Sequence, residues 1–343
     1  MIVGGIPMMF GVSAQFLAVG HDTTPFISAY PWSAAGFGTK FSNPATLPPS
    51  RCNGVSFSAS GGYLAVGHEI TPYIGVYPFS AAGFGTKFAD PAVLPQGGGI
   101  GVAFSADGGS VALAHGTTPF ASAYSFSASG FGAARRNPSP ALGGIGQAVA
   151  FTNAGNFIAL GYSTASPYID IFPWVSSTGF GTKKSDPATT PTGSVNGVAF
   201  TKAGDAVAAV HSASPFVTAW PVSGSGFGTK VSNPATLPAG TGLAVAFSPL
   251  GDFIAVAHDI TPFISVYPWS GSGFGTKIAD PATLPAGTGQ GVAFTSDGTA
   301  LAVAHLTSPY VSVYPFSVAG FGTKFSNPGT LPAGGGYSVS FGG

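Results

Sequence analysis

Apolar and polar residues fall in short alternating runs, and one stretch shows the pattern the whole chain repeats. Over residues 291–327, Gly-Val-Ala-Phe-Thr alternates, Ser296-Asp297-Gly298 punctuates, and Leu301-Ala-Val-Ala-His305 alternates again. That pattern predicts two strands joined by a tight turn. After the break at Leu306-Thr-Ser-Pro309 comes Tyr310-Val-Ser-Val-Tyr-Pro-Phe316, rich in β-branched and aromatic residues, then a further turn and 320–325. Four strands result, A to D. Within strand B the alternation is large against small, Leu301 and Val303 against Ala302 and Ala304, and not apolar against polar. A sheet with one wet face does not read that way, so both faces are predicted to be buried.

The unit repeats. Gly-Phe-Gly opens at Gly36, Gly83, Gly130, Gly179, Gly226, Gly273 and Gly320, at spacings of 47, 47, 49, 47, 47 and 47 residues. Periods of that size mark arrays of one supersecondary unit. With 53 glycines and 30 prolines spread through every repeat, no window is left for a helix of ordinary length. Four antiparallel strands repeated seven times make an all-β fold, a seven-bladed β-propeller, in one domain over residues 1–343. Phe57, Phe104, Phe151, Phe200, Phe247 and Phe294 each precede by eleven residues His68, His115, Tyr162, His211, His258 and His305, and Phe10 stands at the same distance from His21. Residues 337–341 form an eighth copy of strand A, while Pro7 interrupts the first copy. The C-terminal strand is therefore expected to fill the inner position of blade one and close the ring. In the alternative, residues 1–10 keep that position and the tail docks elsewhere.

Charge narrows the partners. Only 6% of residues are charged, and eleven acidic residues balance eleven basic ones. Lys40, Lys87, Lys183, Lys230, Lys277 and Lys324 lie one to a D strand, and only Arg135-Arg136 and Lys183-Lys184 are adjacent, so no basic surface for nucleic acid is expected. Cys52 is the one cysteine, which rules out an intrachain disulfide. Residues 1–20 are apolar but lack a basic start and keep the register of strands A and B, so they read as blade one and not as a signal peptide. No run is long enough to span a bilayer, so no membrane insertion is expected.

Candidate chemistry is sparse. His21, His68, His115, His211, His258 and His305 share one repeat position at the end of strand B, with Tyr162 in the fourth copy. A propeller spreads them in a circle, which argues against a catalytic cluster or a metal site. Two readings stand: each ring bonds the Thr-Pro or Ser-Pro turn that follows, or each lines a shallow pocket beside Phe26, Tyr73 and their equivalents, suited to weak multivalent binding. Blade four differs, with one extra residue before Pro167, another before Gly179, and Asp170 inside strand C. The candidate binding face is thus the six histidines, Tyr162 and Asp170. The Asn-Pro and Asp-Pro pairs, as at Asn43-Pro44 and Asp280-Pro281, are turn residues. There is no calcium loop, nucleophile elbow or phosphate loop, so no cofactor, no metal and no enzymatic activity are expected.

The run Val245 to His258 resembles the repeats of WD-repeat-like propellers, although strand C ends Tyr267-Pro268-Trp269 where that family has Trp-Asp. The pattern His258-Asp-Ile-Thr-Pro-Phe-Ile-Ser-Val-Tyr267 followed by Asp280-Pro-Ala-Thr-Leu-Pro285 is similar to phage-encoded propeller repeats. That resemblance implies a non-enzymatic structural or attachment protein of a tailed bacteriophage virion, in the tail, a fibre or a head decoration. Its partners would be other virion proteins or a host-surface glycan or receptor. The alternative is a carbohydrate-binding, lectin-like propeller with one shallow pocket per blade.

Overall fold

The computed structural model describes residues 15–343 and contains strands without helices. Seven four-stranded antiparallel sheets, each ordered A-B-C-D from the inside, form a seven-bladed propeller. Blade six is typical: A is Gly242–Phe247, B is Phe253–His258, C is Ile264–Ser270 and D is Gly273–Phe274. Blade one is built from both ends of the described chain. Gly336–Gly342 supplies strand A and pairs with Gln15–His21, which is followed by Ile27–Ser33 and Gly36–Phe37. The C-terminal strand therefore closes the ring. The copy of strand A in residues 1–10 lies outside the described residues.

The large-small alternation of strand B is the packing code between blades. Ile254 and Val256 join the apolar cluster with Ala206, Ala208 and Val210 of blade five, while Phe253, Ala255 and Ala257 face Val292, Leu301 and Val303 of blade seven. Each blade thus presents bulk to one neighbour and small side chains to the other, so wedge-shaped sheets pack around a ring without voids. Full burial of one such valine or isoleucine contributes about 1.5–3 kcal/mol.

Gly-Phe-Gly has a separate cause at each residue. In blade six Gly273 turns C into D at φ +107°, where a Cβ is strained. Phe274 then stands edge-on to Trp269, with ring centroids 5.1 Å apart. Gly275 passes so close to Pro268 that a Cβ there would lie 3.0 Å from the proline ring. The Asp280–Pro285 run is explained by the next blade: the Tyr314 hydroxyl donates to the Thr283 carbonyl at 2.8 Å. Tyr30, Tyr77 and Tyr267 make the same bond to Thr330, Thr46 and Thr236.

Strand D is shorter than the alternation predicts. In blade seven it covers Gly320–Phe321, and the backbone then bulges before Phe325 N–H returns to the Val313 carbonyl at 2.9 Å. Pro315 in strand C accepts from Gly322 but has no N–H to give back, so the ladder stops. Blade three tests that cause within the molecule, because Ser125 replaces the proline and strand D there runs Gly130–Ala134.

Candidate functional site

The innermost strands enclose a central channel with a cavity of about 570 Å³. In every blade the A-B register shifts between the first and third residues of strand A, as between Gly99 and Gly101 or between Gly289 and Gly291. Such a bulge re-aims one side chain, and here the second residue lines the channel. Around the ring that rung reads Tyr337, Asn53, Ile100, Gln147, Asn196, Leu243 and Gln290. Behind it comes a rung of Ser, Gly or Ala, and a Cβ added at Gly54 would lie 2.6 Å from the Ile100 carbonyl of the next blade. Small residues there let adjacent A strands abut. A third rung is all valine, from Val55 to Val339.

Sevenfold regularity breaks at one place on the rim. Arg51 precedes strand A of blade two, where the other copies have Gly98, Ile145, Ser194, Thr241, Thr288 and Gly335. Its guanidinium stacks over the Tyr337 ring of blade one, 4.6 Å from the centroid, and pairs with the Glu69 carboxylate. Arg51 Nε is buried and has no partner among the described residues. Ser50, standing where other copies have glycine, accepts from the N–H groups of Glu69 at 3.1 Å and Ile70 at 3.2 Å, and so fixes the loop that carries the carboxylate. The side chains of Arg51 and Glu69 keep 36% and 46% exposure, open to a ligand entering the channel. They are the channel's one cation and one anion among the described residues.

The rung's amides divide into two kinds. Asn53 Nδ2 donates to the Gly99 carbonyl at 3.0 Å and Asn196 Nδ2 to the Gly242 carbonyl at 2.9 Å, each bracing the next blade. Gln147 and Gln290 make no hydrogen bond among the described residues and face the cavity. Together the rim and rung offer a flat cationic donor, a carboxylate, two neutral donor-acceptor amides, and apolar patches at Ile100 and Leu243.

The residues singled out from the sequence lie elsewhere. His21, His68, His115, His211, His258 and His305 are buried, none more than 1% exposed, and none lines the channel. Their Nε2 atoms meet the hydroxyl seven residues on in strand C: Ser28 at 3.1 Å, Ser122 at 2.9 Å, Thr218 at 2.9 Å, Ser265 at 3.0 Å and Ser312 at 3.0 Å. Blade two has Gly75 there, and His68 Nε2 is left without a partner. On the other ring atom, Nδ1 of His68 and of His305 lies 2.7 Å from the carbonyls of Ile70 and Thr307 in the following turn. Burial lowers His21, His68, His115, His211 and His305 to about 4 and also lowers His258. Phe26 and Tyr73 pack partly buried in blade junctions. Tyr162 and Asp170 of blade four form a charged version of the same seam: the tyrosine hydroxyl donates to Asp170 at 3.3 Å, and Lys183 lies 2.8 Å from Asp170 and 2.7 Å from Asp186. Burial pushes the Asp170 carboxyl up against the pull of Lys183.

No group of three or more His, Cys, Asp or Glu side chains converges as metal ligands among the described residues. No helix is long and apolar enough to cross a membrane.

No protein-family model and no curated protein matches the chain. Solved structures do. A candidate 6-phosphogluconolactonase from Bacteroides fragilis superposes with TM-score 0.73 at 12% identity, over 97% of this chain and 99% of that one. The periplasmic gluconolactonase of Pseudomonas aeruginosa gives TM-score 0.72 at 14% identity, over 95% and 99%. A candidate 6-phosphogluconolactonase from Bacteroides uniformis gives 0.71 at 13%, over 96% and 99%. These propellers bear the names of hydrolytic enzymes, and none of the three is a phage or WD-repeat protein. The reading as a non-enzymatic virion protein is corrected accordingly, and with it the lectin-like alternative. Its motifs misled because they are packing signatures: Asp280–Pro285 holds the next blade's tyrosine, and the histidines brace strands B and C. At such identity the likeness establishes the seven-bladed propeller fold that the chain shares with them.

Proposed function

We propose that the protein hydrolyses a lactone at the rim of the central channel, between blades one and two. The pairing of Arg51 with Glu69, against Tyr337 and at the mouth of an otherwise uncharged channel, is the observation that carries this reading. The fold shared with proteins named lactonases supports it by analogy. In the proposed step water attacks the lactone carbonyl carbon while Glu69 takes a proton from it. Arg51 donates to the carbonyl oxygen as negative charge grows there, and the stack on Tyr337 keeps the guanidinium plane oriented. The ring C–O bond then breaks, the proton passes to the departing oxygen, and the product is the open hydroxy acid.

Acid release from glucono-δ-lactone in weak buffer, corrected for spontaneous hydrolysis, tests the proposal. Arg51→Ala and Glu69→Gln are each expected to lower kcat about 100-fold or more while leaving the melting temperature near that of the parent. Hydrolysis that both variants sustain at the parent rate would place the chemistry elsewhere.

A further inference from the structure

Resting on the lactonase reading, we infer that the substrate is an uncharged polyhydroxy lactone and not a phosphorylated one. The channel lining holds one cation, Arg51, and Glu69 neutralises it. Recognition of a phosphate dianion draws on Arg or Lys forks, glycine-rich nests or helix N-termini. The described chain has no helix, and no lysine lines the cavity. The D-strand lysines are engaged at home: Lys230 Nζ donates to the Val231 carbonyl at 3.1 Å, and Lys87 and Lys277 pair with Asp90 and Asp280. The remaining charges near the rim are acidic. Asp22 and Asp259 occupy the repeat position of Glu69, and their carboxylates abut the D-to-A loops at Gly334 and Gly240. A phosphate arriving at this face meets repulsion and finds no second cation.

What the channel does offer suits hydroxyl groups. Gln147 and Gln290, in blades four and seven, hold unengaged amides that can each donate to and accept from a hydroxyl. Ile100 and Leu243, in blades three and six, supply apolar surface for the C–H face of a ring. Gln290 lies in the blade next to Tyr337 and is assigned as the specificity residue that reads hydroxyls beside the reacting carbonyl.

Two measurements on the whole protein decide the matter. In hydrolysis, kcat/KM for glucono-δ-lactone is expected to exceed that for 6-phosphogluconolactone at least about tenfold, and Leu243→Lys is expected to narrow the gap by giving the phosphate a cation. Equal or better use of the phosphorylated lactone overturns the inference while leaving the lactonase reading in place. Hydrolysis of neither sinks the lactonase reading, and calorimetric titration with glucose and glucose 6-phosphate then judges the channel's preference directly. Tighter or equal binding of the phosphate ester, or binding of neither, overturns the inference; selective binding of glucose supports it.

Discussion

Two positions in this ring occur seven times each, and the fold puts them to opposite uses. At the end of strand B stands histidine in six blades and tyrosine in one, always buried and, in every blade but the second, bonded to a side chain of strand C. At the second residue of strand A stand Tyr, Asn, Ile, Gln, Asn, Leu and Gln, every one facing the channel. Uniformity marks the position that each blade needs in order to exist. Diversity marks the position at which blades are free to differ, because a bulged side chain over a cavity touches few neighbours. The polar residue repeated in every blade is here a buried packing element, and it is the varied inner rung and the rim that meet the channel.

The comparison can be broken at its architectural end first. Removing residues 336–343 takes away Val339 and Phe341 and the serines whose hydroxyls accept from Val55 and Phe57 N–H, both at 3.1 Å. The expected result is loss of the cooperative melt or assembly into oligomers through the open edge, seen by calorimetry and gel filtration. A monomer melting at the parent temperature would mean that the closing strand is dispensable.

Acid comes next. Five histidines held near 4 in the fold rise to about 6.5 when the chain unfolds. Between those values the unfolded chain binds more protons, so stability is full above about pH 6.5, falls as pH drops toward 4, and gains no further loss from them below it. Asp107 and Asp297, held below their ordinary range, act only at lower pH and do not blur the window. A melting temperature that stays level from pH 7 to 4 would contradict the buried seam.

At the rim, Arg51→Ala is expected to remove about two orders of magnitude from kcat with the fold intact, which separates site from scaffold. Blade four sharpens the seam itself. Asp170→Ser leaves Lys183 with Asp186 alone and is expected to cost about 1–3 kcal/mol in urea unfolding. The double variant Tyr162→His with Asp170→Ser rebuilds the seam of the other blades and should recover most of that loss. If the double variant is no more stable than the single one, the seven seams are not equivalent. The smallest effect belongs to Gln147→Leu, which should leave unfolding unchanged and raise KM only about two- to fivefold.

The fold was legible because its signals repeat. Turn glycines, strand alternation and a spacing of 47 residues, 49 into blade four, point to the same unit, and the eighth copy of strand A foretold the closure at Gly336–Gly342. Strand D was overread because a proline in strand C silences the donor that its partner needs, an effect across strands that one strand's pattern does not carry. The pairing at the rim was not legible for a related reason. Arg51 sits in an irregular Ser-Arg-Cys-Asn connection and Glu69 beside a buried histidine, 18 residues apart in sequence, and the bulge that opens the channel leaves no mark in composition. The signal was available in register: aligning the copies exposes Arg51 against Thr, Gly, Ser and Ile.

The stacking of Arg51 on Tyr337 joins blade two to the strand that closes the ring. The Arg51 side of the rim is therefore complete only once strand Gly336–Gly342 has been made and has paired in blade one. A chain clipped before that strand keeps the other six sheets but loses the ring beneath the Arg51 guanidinium, so under the proposed mechanism turnover would report that the circle is whole.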